Sequence, residues 1–180
     1  MALPVLLGAT APALPRSAPE GALFWRAASA ADTPALVWQA YRGLLGGLHA
    51  SERFFVDDQD DPAPENDLHY LLADMNGDRR PEVFLQIQNS GQCFRGCITY
   101  VMTLIAGRWR NVCWFEGNNI RPGFGYTGIV PGRMRRNGWR DFAWYEMGGD
   151  EPWLITHRYT WRRHPPRHRD AGCVSQERAD

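Results

Sequence analysis

Residues 69–88 read HYLLADMNGDRRPEVFLQIQ, two apolar runs separated by a polar loop. The runs His69–Ala73 and Val83–Gln88 are short and rich in residues that favour extended backbone, so both are predicted to be strands. The intervening segment Asp74–Glu82 contains Gly, Asn, Asp and Pro, the residues that favour turns. The stretch therefore predicts a strand–loop–strand unit, from which the rest of the fold is built outward.

Further segments along the chain have strand character and are joined by glycine-containing turns. They are Ile98–Ile105, Trp109–Phe115, Gly128–Arg133, Asp141–Glu146 and Leu154–Trp161. Ala106-Gly107-Arg108 predicts a hairpin turn between the first two, and Gly148–Pro152 predicts a turn between the last two. Upstream, Thr33-Pro34 and the apolar spacing after it predict a helix that ends near Gly46-Gly47. The predicted fold class is α+β, with an antiparallel β-sheet of about five to seven strands and one N-terminal helix packed on it.

Composition limits the number of domains and the class of partner. The 180 residues are 44% hydrophobic, which is enough for the core of one ordinary domain. Twenty basic and twenty acidic side chains cancel, so no overall field attracts nucleic acid or an anionic membrane, and partners must be selected locally. Charged residues or glycines interrupt the later apolar runs, so no transmembrane segment is predicted, and neither is a nucleic-acid partner. The oligomeric state is left open.

Three parts are predicted along the chain. Residues 1–30 begin with a short apolar run that ends in small residues, as in Ala9-Thr10-Ala11, which predicts a truncated export signal and then an Ala- and Pro-rich linker. A merely apolar leader is the alternative. Residues 31–163 form the single α+β domain, and residues 164–180 are interpreted as a mobile basic tail without apolar pattern. The signal implies a periplasmic or secreted bacterial protein.

The loop between the first two predicted strands has oxygen donors at alternating positions. Its candidate ligands at positions one, three, five, seven and nine are Asp74, Asn76, Asp78, the backbone carbonyl of Arg80, and Glu82. Calcium takes about six to eight oxygen ligands in a flexible geometry, and Gly77 permits the sharp bend that such a loop needs. The loop is therefore predicted to bind one calcium ion, Ca2+. The alternative is a polar turn whose side chains bond their own backbone.

The order of strand, Asp74-Met75-Asn76-Gly77-Asp78, Pro81-Glu82 and strand resembles the calcium loop of FG-GAP and VCBS-type repeats, usually written Asp-x-Asn-Gly-Asp-Gly-x-x-Asp. The resemblance implies a calcium site in an exported bacterial protein. Arg79 stands where the second glycine is usual, and Glu82 stands where Asp is commoner. No second copy occurs at blade-length spacing, so the propeller formed by repeated copies is not predicted. The later phrase Asn137–Phe142 resembles a segment of small exported bacterial proteins that carry a single such loop.

The cysteines are divided between a loop, a strand and the tail. Cys93 and Cys97 enclose Phe-Arg-Gly between two predicted strands, and in an oxidising compartment this short loop is predicted to close as a disulfide. A redox-active pair and a zinc site are the alternatives. Cys113 is interpreted as a buried thiol and Cys173 as a tail residue, and their pairing is left open.

No catalytic residue is predicted, because no Ser lies in a nucleophile elbow and no His has a partner that forms a triad. The predicted function is a calcium-binding structural or binding module for a protein or cell-wall glycan partner, including an inhibitor or immunity role. Its candidate partner-binding side chains are Trp114, Phe115, Arg121, Phe124 and Tyr126. A partly buried aromatic cluster is the alternative for these residues. The alternative function is a calcium-assisted hydrolase in which the acidic run 57–67 supplies a base.

Overall fold

The computed structural model describes residues 20–29, 31–48, 68–88, 97–117, 127–146, 157–161 and 173–176. Within these ranges the chain forms one helix, α1 (Ala35–Gly47), and ten strands. The strands are β1 (Leu23–Phe24), β2 (Arg26–Ala27), β3 (Leu68–Ala73), β4 (Glu82–Ile87), β5 (Cys97–Ile105), β6 (Arg108–Gly117), β7 (Thr127–Arg136), β8 (Trp139–Glu146), β9 (His157–Trp161) and β10 (Cys173–Gln176). No helix in the described ranges is long and apolar enough to cross a membrane.

The strands are divided between two five-stranded sheets whose neighbours pair antiparallel. The first sheet has the order β1-β7-β8-β9-β10, and the second has the order β2-β3-β4-β5-β6. The second sheet packs on helix α1. This architecture agrees with the predicted α+β class and with antiparallel pairing. The predicted single sheet is corrected to two, because the alternation of a strand shows which residues share a face but not which strands share a sheet.

The second sheet is the middle layer, because its strands bury side chains on both faces. Successive residues of β4 point to opposite sides. Val83 and Leu85 pack with the helix, whereas Phe84 packs with the first sheet. The Phe84 ring meets the Phe142 ring edge-on, with centroids 5.5 Å apart. Each large apolar side chain buried in this way contributes roughly 1.5–3 kcal/mol to folding.

The β5–β6 and β7–β8 hairpins each turn on two residues with positive φ. Ala106 and Gly107 have φ of 49° and 76°, and Asn137 and Gly138 have φ of 54° and 89°. Two-residue turns with positive φ match the right-handed twist of the flanking strands. The first turn was predicted from the sequence. The second extends β7 and β8 beyond their predicted bounds, and it brings the end of this hairpin to the Asp74–Glu82 loop.

Two segments that the sequence assigned to a linker and to a mobile tail contain strands. In the linker, β1 pairs with β7 and β2 pairs with β3, so one short segment contributes a strand to each sheet. Trp25 lies between them and packs against Trp144, with ring centroids 5.8 Å apart. In the tail, β10 pairs with β9. These strands are too short for local alternation to reveal them, and distant partners hold them in place. The leader, residues 1–19, lies outside the described residues.

Helix α1 lies so close to β6 that Gly43 has no room for a side chain. A Cβ at Gly43 would overlap the Cβ of Trp109, whereas a Cβ at Gly46 would meet nothing within 4 Å. We expect Gly46→Ala to raise the free energy of unfolding by about 0.5–1 kcal/mol, because Ala favours the helix. We expect Gly43→Ala to lower it by about 1–3 kcal/mol through overpacking. Urea unfolding measures both changes, and shifts of the same sign would contradict this close packing.

Candidate metal centre

The candidate calcium loop connects β3 to β4 and attaches the second sheet to the first. The Met75 side chain is fully buried between the sheets. The Met75 carbonyl accepts a hydrogen bond of 2.7 Å from the backbone N–H of Arg140. Arg135 Nη1 donates a hydrogen bond of 2.7 Å to the carbonyl of Asn76. Because Arg135 and Arg140 belong to the β7–β8 hairpin, the loop joins the two sheets at one end of the molecule.

Asp74, Asn76 and Asp78 accept hydrogen bonds from the backbone of their own loop, as Glu82 also does. Asp74 accepts two from N–H groups, of 2.6 and 3.2 Å, one at each carboxylate oxygen. Asn76 Oδ1 accepts one of 2.8 Å from Asp78 N–H, and Asp78 Oδ1 accepts one of 2.8 Å from Arg80 N–H. These contacts wrap the backbone around side-chain oxygens. They fit a calcium loop, and they also fit a polar turn without metal.

Two residues of the loop have backbone conformations that favour glycine. Gly77 has φ of +81°, and Arg79 has φ of +68°. A residue with a Cβ in this region costs on the order of 1 kcal/mol, which glycine avoids. The position where FG-GAP and VCBS-type loops usually have their second glycine therefore has the backbone that suits glycine, although Arg79 occupies it. A Cβ at Gly77 would overlap the guanidinium of Arg135, the end of a flexible exposed side chain that can shift, so the positive φ is the stronger reason for glycine here.

Glu82 holds the loop in place through hydrogen bonds to its side-chain carboxylate. The residue is only 1% exposed to solvent. Its Oε2 accepts a hydrogen bond of 2.7 Å from Met75 N–H. Its Oε1 accepts bonds of 2.8 Å from Asn76 Nδ2 and 3.0 Å from Thr103 Oγ1. A carboxylate has about four lone-pair sites, and these contacts leave a site for a metal at Oε2. Glu82 is therefore chiefly a brace for the loop and at most a monodentate ligand.

The environment of Glu82 disfavours its charged form. Burial is the largest effect and raises the pKa of the carboxyl above its ordinary value, and the negative charge of Asp78 adds to that rise. The hydrogen bonds from Met75 and Thr103 act in the opposite direction and lower the pKa. A cation in the loop would also lower it, because a nearby positive charge favours the carboxylate. Burial of Glu82 is thus a cost that bound metal would offset.

The carboxylates of the loop do not converge on one point. Among the residues that the structure describes, no three His, Cys, Asp or Glu side chains form a group that could hold a metal ion. A bound calcium ion would also need donors that are not acidic. These are the side-chain oxygen of Asn76 and the carbonyl of Arg80, in addition to Asp74, Asp78 and Oε2 of Glu82. The set consists wholly of oxygen donors, so its chemistry fits calcium.

The structure extends the disulfide prediction. Cys97 is disulfide-bonded, and Cys93 lies outside the described residues. Cys113 is buried, as predicted, but it is not a free thiol. It is bonded to Cys173, with Cα atoms 5.3 Å apart and a sequence separation of 60. The sequence could not show this pair, because strand β10, which carries Cys173, is not recognisable without its partner β9.

One candidate partner-binding residue belongs to the core. Phe115 is 5% exposed, and its ring centroid lies 5.7 Å from that of Trp144. Phe115 therefore fits the alternative of a buried aromatic cluster. Its neighbour Trp114 is 36% exposed and remains a candidate contact. The acidic run 57–67 lies outside the described residues, so the hydrolase alternative stays a prediction. Three further candidates also lie outside them: Arg121, Phe124 and Tyr126.

Sequence reasoning missed the residues that hold the loop from other strands. Thr103 and Arg135 bond Glu82 and Asn76 across separations of 21 and 59 residues. No motif marks either residue. Thr103 can be found only from the register of β4 against β5, in which Val83 pairs with Met102 and Glu82 therefore faces Thr103.

Comparison of the chain with protein-family models, with curated proteins and with solved structures found no match. The resemblance to FG-GAP and VCBS-type loops therefore rests on the loop residues alone and stays a prediction. Function is accordingly argued from the chemistry of the loop and from the elements to which it is attached.

Proposed function

We propose that the chain is an exported module whose Asp74–Glu82 loop binds one calcium ion and so fixes two sheets for the binding of a protein or cell-wall glycan. The observation that carries the proposal is the double attachment of the loop. Glu82 ties it to Thr103 in the second sheet, and Met75 ties it to Arg140 in the first. A cation that binds only the folded loop stabilises both attachments together.

The donor set favours calcium over other biological metals. Carboxylate, amide and backbone carbonyl oxygens are hard ligands, and the loop contains no Cys or His of the kind that zinc and copper select. Magnesium demands near-ideal octahedral geometry and keeps several waters, whereas calcium accepts an irregular set of protein oxygens. Two aspartates and the buried Glu82 also supply the negative charge that a divalent cation neutralises.

A structural role suits this site better than a catalytic one. Glu82 is buried and already accepts three hydrogen bonds, so it is poorly placed to exchange protons with a substrate. The Met75 side chain fills the space between the sheets beneath the loop. A metal bound by several protein oxygens of one loop contributes directly to folding, because those oxygens are brought together only in the folded chain.

Export is supported by the cysteine chemistry of the folded chain. Cys113 and Cys173 are joined, and Cys97 is also disulfide-bonded. Disulfides form and persist in oxidising compartments such as the periplasm and the extracellular space. This pattern agrees with the signal-like N-terminus, and the proposed location is therefore periplasmic or secreted.

The proposal predicts that calcium raises the melting temperature of the full-length protein above its value in excess chelator. At free calcium about 100 times the dissociation constant, stabilisation is about 2.7 kcal/mol, which corresponds to about 5–10 °C for a domain of this size. Asp78→Ala removes a charged ligand, and we expect it to abolish the calcium-dependent rise in melting temperature, called the increment below. Asp32→Ala is the matched control, because Asp32 is an exposed carboxylate in the turn before α1.

The quantity to compare is the difference between melts in calcium and in chelator, so that any basal cost of a substitution cancels. Asp32→Ala is expected to keep the wild-type increment. An equal increment in Asp78→Ala would show that calcium binds elsewhere. Absence of any increment in the wild type would leave the loop as a polar turn and overturn the proposal.

A further inference from the structure

Three connections meet at the end of the molecule that carries the Asp74–Glu82 loop. The β7–β8 hairpin is attached to the loop through Arg140 and Met75. The β5–β6 turn also lies beside the loop. Thr103 of β5 donates a hydrogen bond to Glu82, and β5 ends only two residues later, at Ile105. We call this end the basic tip, defined by the exposed side chains Arg79, Arg80, Ile105, Arg108, Arg133 and Met134.

The basic tip concentrates positive charge in a chain whose formal net charge is zero. The sequence contains no lysine, so all 20 of its Lys and Arg charges are guanidinium groups. Guanidinium groups pair with phosphate through two parallel hydrogen bonds, which ammonium groups cannot do. The carboxylates at this end are Asp74 and Asp78, which belong to the proposed calcium site, and Asp141, which pairs with Arg136, a further arginine of the β7–β8 hairpin. The clustering of arginine side chains at the basic tip can therefore attract anions, although the overall charge of the chain cannot.

Large apolar side chains accompany the arginines at the tip. Ile105 is 49% exposed and Met134 is 64% exposed, and they lie on two different hairpins. Exposed apolar groups flanked by basic ones suit the boundary of a lipid bilayer, where apolar side chains leave water and guanidinium groups meet headgroup phosphates. A soluble polyanion would use the arginines but would gain nothing from Ile105 or Met134.

We propose that the basic tip binds the surface of a bilayer with anionic phosphate headgroups. Arg108 and Arg133 pair with the phosphates, and Ile105 and Met134 enter the boundary between headgroups and acyl chains. This inference goes beyond the proposed calcium module, because it names the surface to which the domain attaches. It does not depend on calcium, since none of these four side chains is a candidate ligand.

The test is sedimentation of the full-length protein with vesicles, in chelator and at low salt. We expect binding to vesicles of phosphatidylglycerol and phosphatidylcholine, weaker binding to phosphatidylcholine alone, and a fall in binding as salt rises. Arg108→Gln/Arg133→Gln is expected to bind about 25-fold more weakly, at about fivefold for each basic side chain near an anionic surface. Arg26→Glu makes the same change of two charge units at one exposed position on β2, opposite Tyr70, and should bind as the wild type does.

The apolar half of the proposal is tested by Ile105→Ser and Met134→Ser, which leave the charge unchanged and should each weaken vesicle binding several-fold. Thermal melts establish that each variant is folded. Failure to bind anionic vesicles, or an equal loss in Arg26→Glu, would overturn the proposal. Binding to dextran sulfate or duplex DNA together with vesicle binding that Met134→Ser does not change would overturn it in favour of a soluble polyanion.

The effect of calcium distinguishes membrane binding by the basic tip from calcium binding by the Asp74–Glu82 loop. Vesicle binding in chelator supports the basic tip even if calcium does not raise the melting temperature. Binding that requires calcium would assign the attraction to the loop cation and overturn the direct role of the arginines.

Discussion

Removal of the Cys113–Cys173 disulfide is expected to lower the free energy of unfolding by about 4 kcal/mol. The bond closes a loop with a sequence separation of 60 and joins β6 in the second sheet to β10 in the first. Such a long closed loop strongly restricts the unfolded chain. The bond also anchors β10, a strand of four residues at the edge of its sheet. Urea unfolding of Cys113→Ala/Cys173→Ala, compared with the wild type, measures the loss. Alanine is used in place of serine because a buried serine hydroxyl would add its own cost.

Cys93→Ala/Cys97→Ala is the comparison for this experiment. The predicted Cys93–Cys97 bond closes a much shorter loop, and a shorter loop restricts the unfolded chain less. We therefore expect a smaller loss of stability than from the Cys113 and Cys173 pair. A negligible loss from Cys113→Ala/Cys173→Ala would show that β10 contributes little to holding the two sheets together.

The sequence predicts the strands that carry their own local signal. Val83–Gln88 alternates between two buried faces and appears as β4, and the Ala106-Gly107 turn joins β5 to β6. Strands β1 and β2 are two residues each, so no period can be detected in them, and their formation depends on pairing with β7 and β3. The division into two sheets is likewise a property of distant pairing, which a single sequence does not display.

The residues of the candidate site also divide into those with a local sequence signal and those brought in from distant strands. Asp74, Asn76 and Asp78 are recognisable because their spacing is local, and the structure keeps them on one loop. The contacts of Thr103 and Arg135 arise from strands far along the chain, so the sequence could not assign them. Trp114 and Phe115 show a limit of sequence-based prediction within one strand. Alternation shows that these neighbours face opposite sides of the sheet, but not which of the two faces the core.

Loss of the Glu82 side chain is expected to be the most damaging single change in the loop. Glu82→Ala leaves three donors without their acceptor, namely Met75 N–H, Asn76 Nδ2 and Thr103 Oγ1. The two buried donors, Met75 N–H and Thr103 Oγ1, each cost roughly 1–3 kcal/mol when left unsatisfied, and the part-buried Asn76 amide costs less, so we expect a total loss of about 4 kcal/mol. Urea unfolding in chelator measures it. Glu20→Ala, at an exposed turn position, is the control and should change stability by less than about 0.5 kcal/mol.

Glu82→Gln separates the charge of the carboxylate from its shape. Burial raises the pKa of Glu82 above its ordinary value of 4.5 in the folded protein, so the folded state keeps the proton to higher pH than the unfolded chain does. The resulting stabilisation is fully present below the unfolded pKa and is lost as pH rises through the folded pKa. In chelator, the wild type should therefore lose stability across this window, whereas Glu82→Gln should lack that component. Calcium bound at the proposed site would favour the ionised carboxylate and should oppose the loss at higher pH. Parallel pH profiles for the two proteins in chelator would show that another group titrates.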